Sequence, residues 1–295
     1  MTSSFALRTL AAGAALAALS VGAHATVVLA NNPAPGDAFT NASTSNQGQA
    51  VGASGWYYNN VRNSGTVGIS DALPRSGNGS AALSGTIGPA GNSSKADIEF
   101  LPGAVSLSGN YASTGTLGNL SDLTNMSYDW YRASGGTASA NLTPVMRVLL
   151  DADGDLTTTG DRGGLVYERI YQEAAGWTAS TDTWVSETIN AGSFLWNFGL
   201  GLGFAANINA TPYAYDATLT EWQTKLPNAK IIGFSLGIGS GWGSFSGAVD
   251  NAGWAIGQQS SSYDFEVARQ VPEPAPLALV GLSLAGLLAA RRRRA

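Results

Sequence analysis

Between residue 26 and residue 270 the apolar positions come in short runs, four to ten residues long, separated by Gly, Asn, Ser, Thr and Pro. That rhythm predicts strands rather than helices. Thr26–Leu29, Trp56–Arg62, Thr66–Ser70, Ser80–Ile87, Ser127–Arg132, Val145–Leu150, Gly164–Tyr171, Thr183–Ile189, Ser244–Ala252 and Tyr263–Val267 are the strand candidates. Lys95–Phe100 alternates charged and apolar residues, which predicts a half-exposed strand, and the apolar run Ala229–Ile238 predicts a buried one. Polar, glycine-rich Asn31–Gly55 reads as a loosely ordered leading segment of the domain. Only Ala217–Leu226 has helical character: Thr218 stands three residues before Glu221, the capping-box spacing, and Pro227 ends the run. Many short strands and one small helix predict a single all-β domain over 26–270, a two-sheet jelly-roll sandwich.

Two longer apolar runs bracket this domain. Leu10–Val21 follows Arg8 and precedes Ala23-His24-Ala25, an A-x-A cleavage pattern, so residues 1–25 read as a secretory signal peptide served by the Sec export machinery. At the other end, residues 271–295 read Val271-Pro272-Glu273-Pro274, then the fourteen-residue apolar run Leu277–Ala290, then Arg291, Arg292, Arg293 and Arg294. The run is short for a membrane span, which takes about 20 residues. The arginines form a cytoplasmic stop that leaves the rest of the chain across the membrane.

Hinge, short hydrophobic helix and basic stop, in that order, closely resemble the PEP-CTERM sorting signal. The resemblance covers the tail alone. It implies transient insertion of 277–290 in the inner membrane of a Gram-negative bacterium, recognition of the Pro-Glu-Pro region by an exosortase, and release of the mature chain to the cell surface or extracellular matrix.

Setting the two end segments aside changes the chemistry on offer. The only histidine, His24, falls in the signal peptide and there is no cysteine, so the mature domain has neither. Nucleophilic catalysis through Ser-His or Cys-His, and metal sites built on imidazole or thiolate, are excluded. Residues 26–270 hold ten Lys and Arg against nineteen Asp and Glu, a net charge of −9 with no basic cluster. Nucleic acid is therefore not a partner.

A second, weaker resemblance runs through the centre. Val148–Leu156, Val166-Tyr167-Glu168, Leu219-Thr220-Glu221-Trp222 and Gly237–Asn251 are similar to segments of exported concanavalin-A-like sandwich domains, which supports the fold and supplies no active site.

Three constellations could carry chemistry. Asp151, Asp153 and Asp155 place carboxylates at alternate positions of a Gly-containing turn, as a Ca²⁺ loop does, with Asp161 as a further ligand. Leu156 and Arg162 occupy the EF-hand glycine and glutamate positions, so an acidic hairpin tip is the alternative. Glu168 and Glu187, with Asp97 and Glu99, are the carboxylates from which a glycosidase pair would be drawn. They lack the Glu-x-Asp-x-x-Glu spacing of sandwich glucanases and read as outward-facing strand residues, so no catalytic residue is assigned. Of eight tryptophans, Trp242 in the loop Gly239–Gly243 and Trp177 and Trp184 beside the turn at Ser180 are candidate glycan contacts. Flanking glycines predict that Trp242 is exposed. The reading is an exported, non-enzymatic surface or matrix protein that binds polysaccharide and contributes to biofilm or floc structure, without a required cofactor. A carboxylate-based polysaccharide hydrolase or lyase, and a purely structural surface protein, are the alternatives.

Overall fold

The computed structural model describes residues 24–86, 94–107, 112–209 and 215–269. The first third holds β1 (Thr26–Leu29), β2 (Phe39–Asn41), β3 (Gln47–Ala50), β4 (Trp56–Arg62), β5 (Gly65–Ser70), β6 (Ser80–Gly85) and β7 (Lys95–Phe100). The middle holds β8 (Val105–Ser106), β9 (Ala112–Ser113), β10 (Gly118–Asn119), β11 (Leu123–Arg132), β12 (Val145–Asp151), β13 (Arg162–Tyr167), β14 (Trp184–Ile189) and β15 (Trp196–Gly199). Helix α1 (Leu219–Lys225), β16 (Lys230–Ile238), β17 (Phe245–Ile256) and β18 (Gln259–Glu266) complete it.

The strands form a two-sheet sandwich. Twelve-residue β17 is the spine of the first sheet, with β11 antiparallel along one edge and β14 beyond it. On its other edge β6 pairs with Phe245–Val249 and β18 with Ala252–Ile256. The β6 branch continues to β5 and β2, and β1 adds in parallel to β18. The second sheet runs β15-β13-β12-β16-β7-β4-β3, with β10 beside the start of β16.

Alternation along the strands places one side of each sheet in a shared core. Trp56, Trp130 and Trp222 are fully buried there, each removing roughly 150–250 Å² of ring from water. Trp254 stacks on Phe234 across the sandwich at 4.1 Å, and Trp56 meets Phe265 edge-on at 4.9 Å. With no disulfide in the chain, this aromatic core supplies the cohesion.

Helix α1 forms as its capping box requires. Thr218 Oγ1 accepts from the Glu221 N–H, and the Glu221 carboxylate accepts from Thr218 N–H at 2.7 Å. Trp222, on its inner face, donates its indole N–H to Leu195 O at 2.8 Å.

One expectation changes here, and one local feature is added. The segment 31–55 is not loose: β2 pairs with β5 and β3 with β4, so it contributes an edge to each sheet. Asp37 organises it, accepting from the Asn31 and Asn32 N–H groups and from Tyr58 Oη at 2.6 Å. Polar composition hid strands whose cohesion comes from partners elsewhere in the chain. The Asp250-Asn251 step, inside one of the segments similar to concanavalin-A-like domains, builds a bulge in β17. Asn251 sits at φ 50°, and Asp250 Oδ1 accepts from the Asn251 and Phe265 N–H groups. Burial pushes the Asp250 carboxyl up to about 7.

Candidate functional site

The outer face of the second sheet is where the chemistry collects. On β7, Ala96 and Ile98 enter the core, so Lys95, Asp97 and Glu99 take the other face. Register brings Asn59 of β4 and Gly237 of β16 beside Asp97, with Ser235 beside both Glu99 and Arg147 of β12. Lys95 Nζ lies 2.7 Å from Asp97 Oδ2, and Arg147 Nη1 donates to Asp97 Oδ1 at 3.0 Å and to Ser235 Oγ at 3.2 Å. The two oxygens of Glu99 accept from Asn59 Nδ2 at 2.7 Å and Asn60 Nδ2 at 2.9 Å. Glycine at 237 is needed for this: a Cβ there would meet Asp97 Oδ1 at 2.0 Å.

The predicted half-exposed strand is therefore enclosed. Asp97 and Glu99 are fully buried and Lys95 is 8 % exposed, because neighbours on both sides bring their own polar groups to meet the charges. Burial draws the Lys95 ammonium down to about 8, against the pull of Asp97, and burial with the nearby Asp97 charge pushes Glu99 up to about 7.

Above one end of this charged floor opens a cavity of about 510 Å³. Its walls carry Trp196 and Phe198 of β15, Trp242, and the Tyr171 and Tyr215 rings stacked at 4.2 Å, with Arg62, Lys95, Arg147 and Glu168 among the polar lining. Burial raises the Glu168 carboxyl, which lies against the Trp196 indole. Phe204 stands at the rim, 5.1 Å from the Trp196 ring and 70 % exposed. A clamp holds its loop: buried Asn197 donates to Gly203 O at 2.9 Å and accepts from Ala206 N–H at 2.6 Å. An adjoining cavity of about 690 Å³, walled by Thr44, Ser45, Asn46, Thr159 and Arg162, shares Arg62, Lys95 and Phe198 with the first. The other end of the same face is dry, with Leu101, Leu149 and Ile232 packed together and Val105 of β8 against them.

The sequence-predicted residues distribute unevenly over this geometry. Trp242 lines the cleft but is half-buried, its ring meeting Phe245 at 5.2 Å, so flanking glycines did not leave it exposed. Trp177 and Trp184 do not line it. Trp177 lies under the Arg169 guanidinium at 6.0 Å, and Trp184 packs between Tyr131 at 5.7 Å and Arg75 at 5.8 Å. Glu187 does not face outward. It is 3 % exposed in the sandwich, accepting from Trp130 Nε1, Tyr167 Oη and Arg169 Nη1 at 2.8–3.0 Å.

Asp151, Asp153 and Asp161 present carboxylate oxygens within 4.8 Å of one another, among the described residues. Asp155 leaves this group and instead bonds Thr157 through its N–H and hydroxyl. Arg162 reaches back to Asp151 with Nε at 3.1 Å, placing a cation inside the cluster. The sorting residues Val271–Pro274, the run 277–290, Arg291–Arg294 and Ala23 lie outside the described residues; Ala25 immediately precedes β1. Among the described residues no helix is long and apolar enough to cross a membrane.

Sequence reasoning missed Trp196, Phe204, Tyr171 and Tyr215. The alternation in Phe194-Leu-Trp-Asn-Phe198 was the available signal, because it sends Leu195 and Asn197 inward and Trp196 and Phe198 outward.

The PEP-CTERM protein-sorting motif matches residues 270–294. The chain carries a PEP-CTERM sorting signal. That signal marks an exported protein sorted by exosortase. No curated protein matches the chain. Among solved structures, a family 11 carbohydrate-binding module from Clostridium thermocellum, in complex with a β-1,3-1,4-mixed-linked tetrasaccharide, is similar at 11% identity. That match covers 77% of this chain and 99% of the module, with a TM-score of 0.35. A structure from work on promiscuous carbohydrate-binding modules of the β-sandwich superfamily is similar at 13% identity, 72% and 55% coverage and a TM-score of 0.29. A β-1,2-glucanase from Parabacteroides distasonis is similar at 11% identity and a TM-score of 0.31 over 75% of this chain. The chain spans about half of the second structure and a quarter of the glucanase. Scores this low carry no argument about ligand or activity.

Proposed function

We propose that the chain is processed at both ends to a domain of about residues 26–270. This domain acts at the cell surface or in the extracellular matrix as a non-catalytic polysaccharide-binding protein. Its binding site is the cleft on the outer face of the second sheet. The supporting observation is the pairing of aromatic wall and polar floor: Trp196, Tyr215, Trp242 and a 70 %-exposed Phe204 surround Arg147 and Glu168. Sugar rings offer apolar C–H faces to such rings and hydroxyls to such polar groups, while a monomer surface gains nothing by holding a phenyl ring in water. The Asn197 clamp fixes the rim loop in advance, which lowers the ordering cost of binding.

The carboxylates support binding over hydrolysis. Asp97 is engaged by two cations, Glu99 by two amides, and Glu187 is enclosed in the sandwich, which among the described residues leaves Glu168 without a second carboxylate across the cleft. The test is affinity electrophoresis of the exported, processed protein in gels containing soluble polysaccharides. Trp196→Ala and Phe204→Ala are each expected to abolish retardation while keeping the wild-type Tm. Retention of binding in both variants would remove the cleft from the reading. Release of reducing sugar, lost in Glu168→Gln, would replace binding by hydrolysis. Intact mass tests the processing: a secreted product that still contains residues 275–295 would refute it.

A further inference from the structure

The cleft concentrates positive charge in an acidic protein. Of the ten Lys and Arg between residues 26 and 270, four line the two adjoining cavities: Arg62, Lys95, Arg147 and Arg162. Among the described residues the one carboxylate in their combined lining is Glu168. Three of these cations already have acidic partners, since Lys95 and Arg147 share Asp97 and Arg162 holds Asp151. Arg62 differs. It lines both cavities, and its Nη1 donates at 2.7 Å to a neutral acceptor, Asn46 Oδ1. Among the described residues no carboxylate lies within ion-pair distance of it.

A guanidinium at the junction of two cavities has donors left for a planar, two-oxygen anion, the geometry that Arg matches and Lys does not. Asp97 stands between Lys95 and Arg147 and holds both in place beside the same junction. The remaining carboxylate of the floor, Glu99, has both oxygens occupied by asparagine amides and does not reach Arg62. Thr44, Ser45 and Asn46 add hydroxyl and amide groups to the lining of the second cavity.

We propose that the ligand of the cleft is an acidic polysaccharide whose uronate carboxylate is received by Arg62, with neighbouring sugar rings laid along the aromatic wall. This inference rests on the cleft being a polysaccharide site. It adds the charge class of the polymer and the residue that reads it.

The experiment measures binding of the exported, processed protein to polygalacturonate, alginate and hyaluronate, to fully methyl-esterified pectin, and to neutral mixed-linkage β-glucan. At least one uronate polymer should bind, and esterification should weaken that binding at least tenfold. Arg62→Gln should weaken uronate binding by a similar factor and binding of esterified or neutral polymer much less, and Arg62→Lys should keep part of the uronate binding. Affinity for the acid form should fall steeply between 50 and 500 mM NaCl. A sulfated polymer bound as tightly as the uronates would show that Arg62 reads anionic charge rather than carboxylate, and would overturn the uronate assignment. Equal binding of acid and esterified pectin, or an Arg62→Gln variant that binds the acid form unchanged, would overturn the inference and leave the polysaccharide reading standing. Failure of every polymer to bind would sink both.

Discussion

Asp97 is the residue on which the outer face of the second sheet turns. Replacing it by Asn keeps the side-chain shape and removes one charge, leaving Lys95 (8 % exposed) and Arg147 (5 % exposed) facing an amide. Breaking a buried ion pair from one side costs about 3–5 kcal/mol, because the surviving charge stays desolvated. Here two cations lose the carboxylate they share. Glu99 lies close enough to attract Lys95, and both cations border an open cleft into which they can turn, so the lower end applies, about 3 kcal/mol. For a domain of this size 1 kcal/mol shifts Tm by about 2–4 °C, so Asp97→Asn should melt about 6–12 °C below wild type at pH 7.

The mechanism is separable from mere loss of packing. If stranded charge is the cause, adding Arg147→Met to Asp97→Asn should cost less than the sum of the two single substitutions, because the second change removes the charge that the first exposed. Circular dichroism melts of the four proteins in that cycle decide it. Additive losses, or an Asp97→Asn drop of under about 1 kcal/mol, would refute the argument from desolvation.

Three further outcomes follow from the same geometry. The folded-state pKa of Glu99 is raised from 4.5 to about 7, so the folded protein holds the extra proton between those values and stability falls as pH rises from about 4.5 to 7. That of Lys95 is lowered from 10.5 to about 8, so the unfolded chain holds the extra proton and stability rises from about pH 8 to 10.5. Asp250, raised from 3.8 to about 7, adds to the same acid limb. Melts across pH 4–10 should therefore dip near pH 7–8, the acid limb becoming shallower in Glu99→Gln and flattening only when Asp250→Asn is added, and the alkaline limb flattening in Lys95→Met; a plain maximum at pH 7–8 would contradict the assignment. Asn197→Ala removes both clamp bonds of the rim loop and should cost about 1–3 kcal/mol, with faster amide exchange at residues 200–206 than elsewhere. Uniform exchange changes would show that Asn197 does not hold the loop in particular. Because Arg162 already neutralises Asp151, chelation by EGTA should leave Tm unchanged; a fall reversed by Ca²⁺ would assign an ion to Asp151, Asp153 and Asp161.

What was legible in the chain was local. The bounds of β4 and β7 and the capping box of α1 coincide with their sequence patterns, since seven or so residues contain the information. β2 and β3 were hidden because Phe39–Asn41 and Gln47–Ala50 are polar and owe their strand form to β5 and β4. The site was hidden for a different reason. Alternation of charged and apolar residues reads the same whether the charged side faces bulk water or lies beneath a cleft, and on β7 it lies beneath a cleft. Trp242 shows the converse limit: its neighbours in sequence left it free, and Phe245 with the cleft wall did not.

The composition of that face bears on why the charges are there at all. One end of it is closed in the ordinary way, with Leu101, Leu149 and Ile232 packed beneath the β8 segment. Apolar residues of similar volume at 95, 97 and 147 would extend that closure, and replacing a buried ion pair in this manner is often neutral or stabilising by 1–4 kcal/mol. Stability is thus a weak reason for Lys95, Asp97 and Arg147. Their position supplies a stronger one, because two of the three reach the cleft while the third fixes them from below through the space left open at Gly237. On this reading Asp97 is a positioning residue whose cost in folding is offset by a cationic floor held at fixed geometry. The variant Lys95→Met/Asp97→Leu/Arg147→Met separates the two accounts. It should match or exceed the wild-type Tm yet lose uronate binding, and a variant that bound as wild type would show that the floor serves the fold alone.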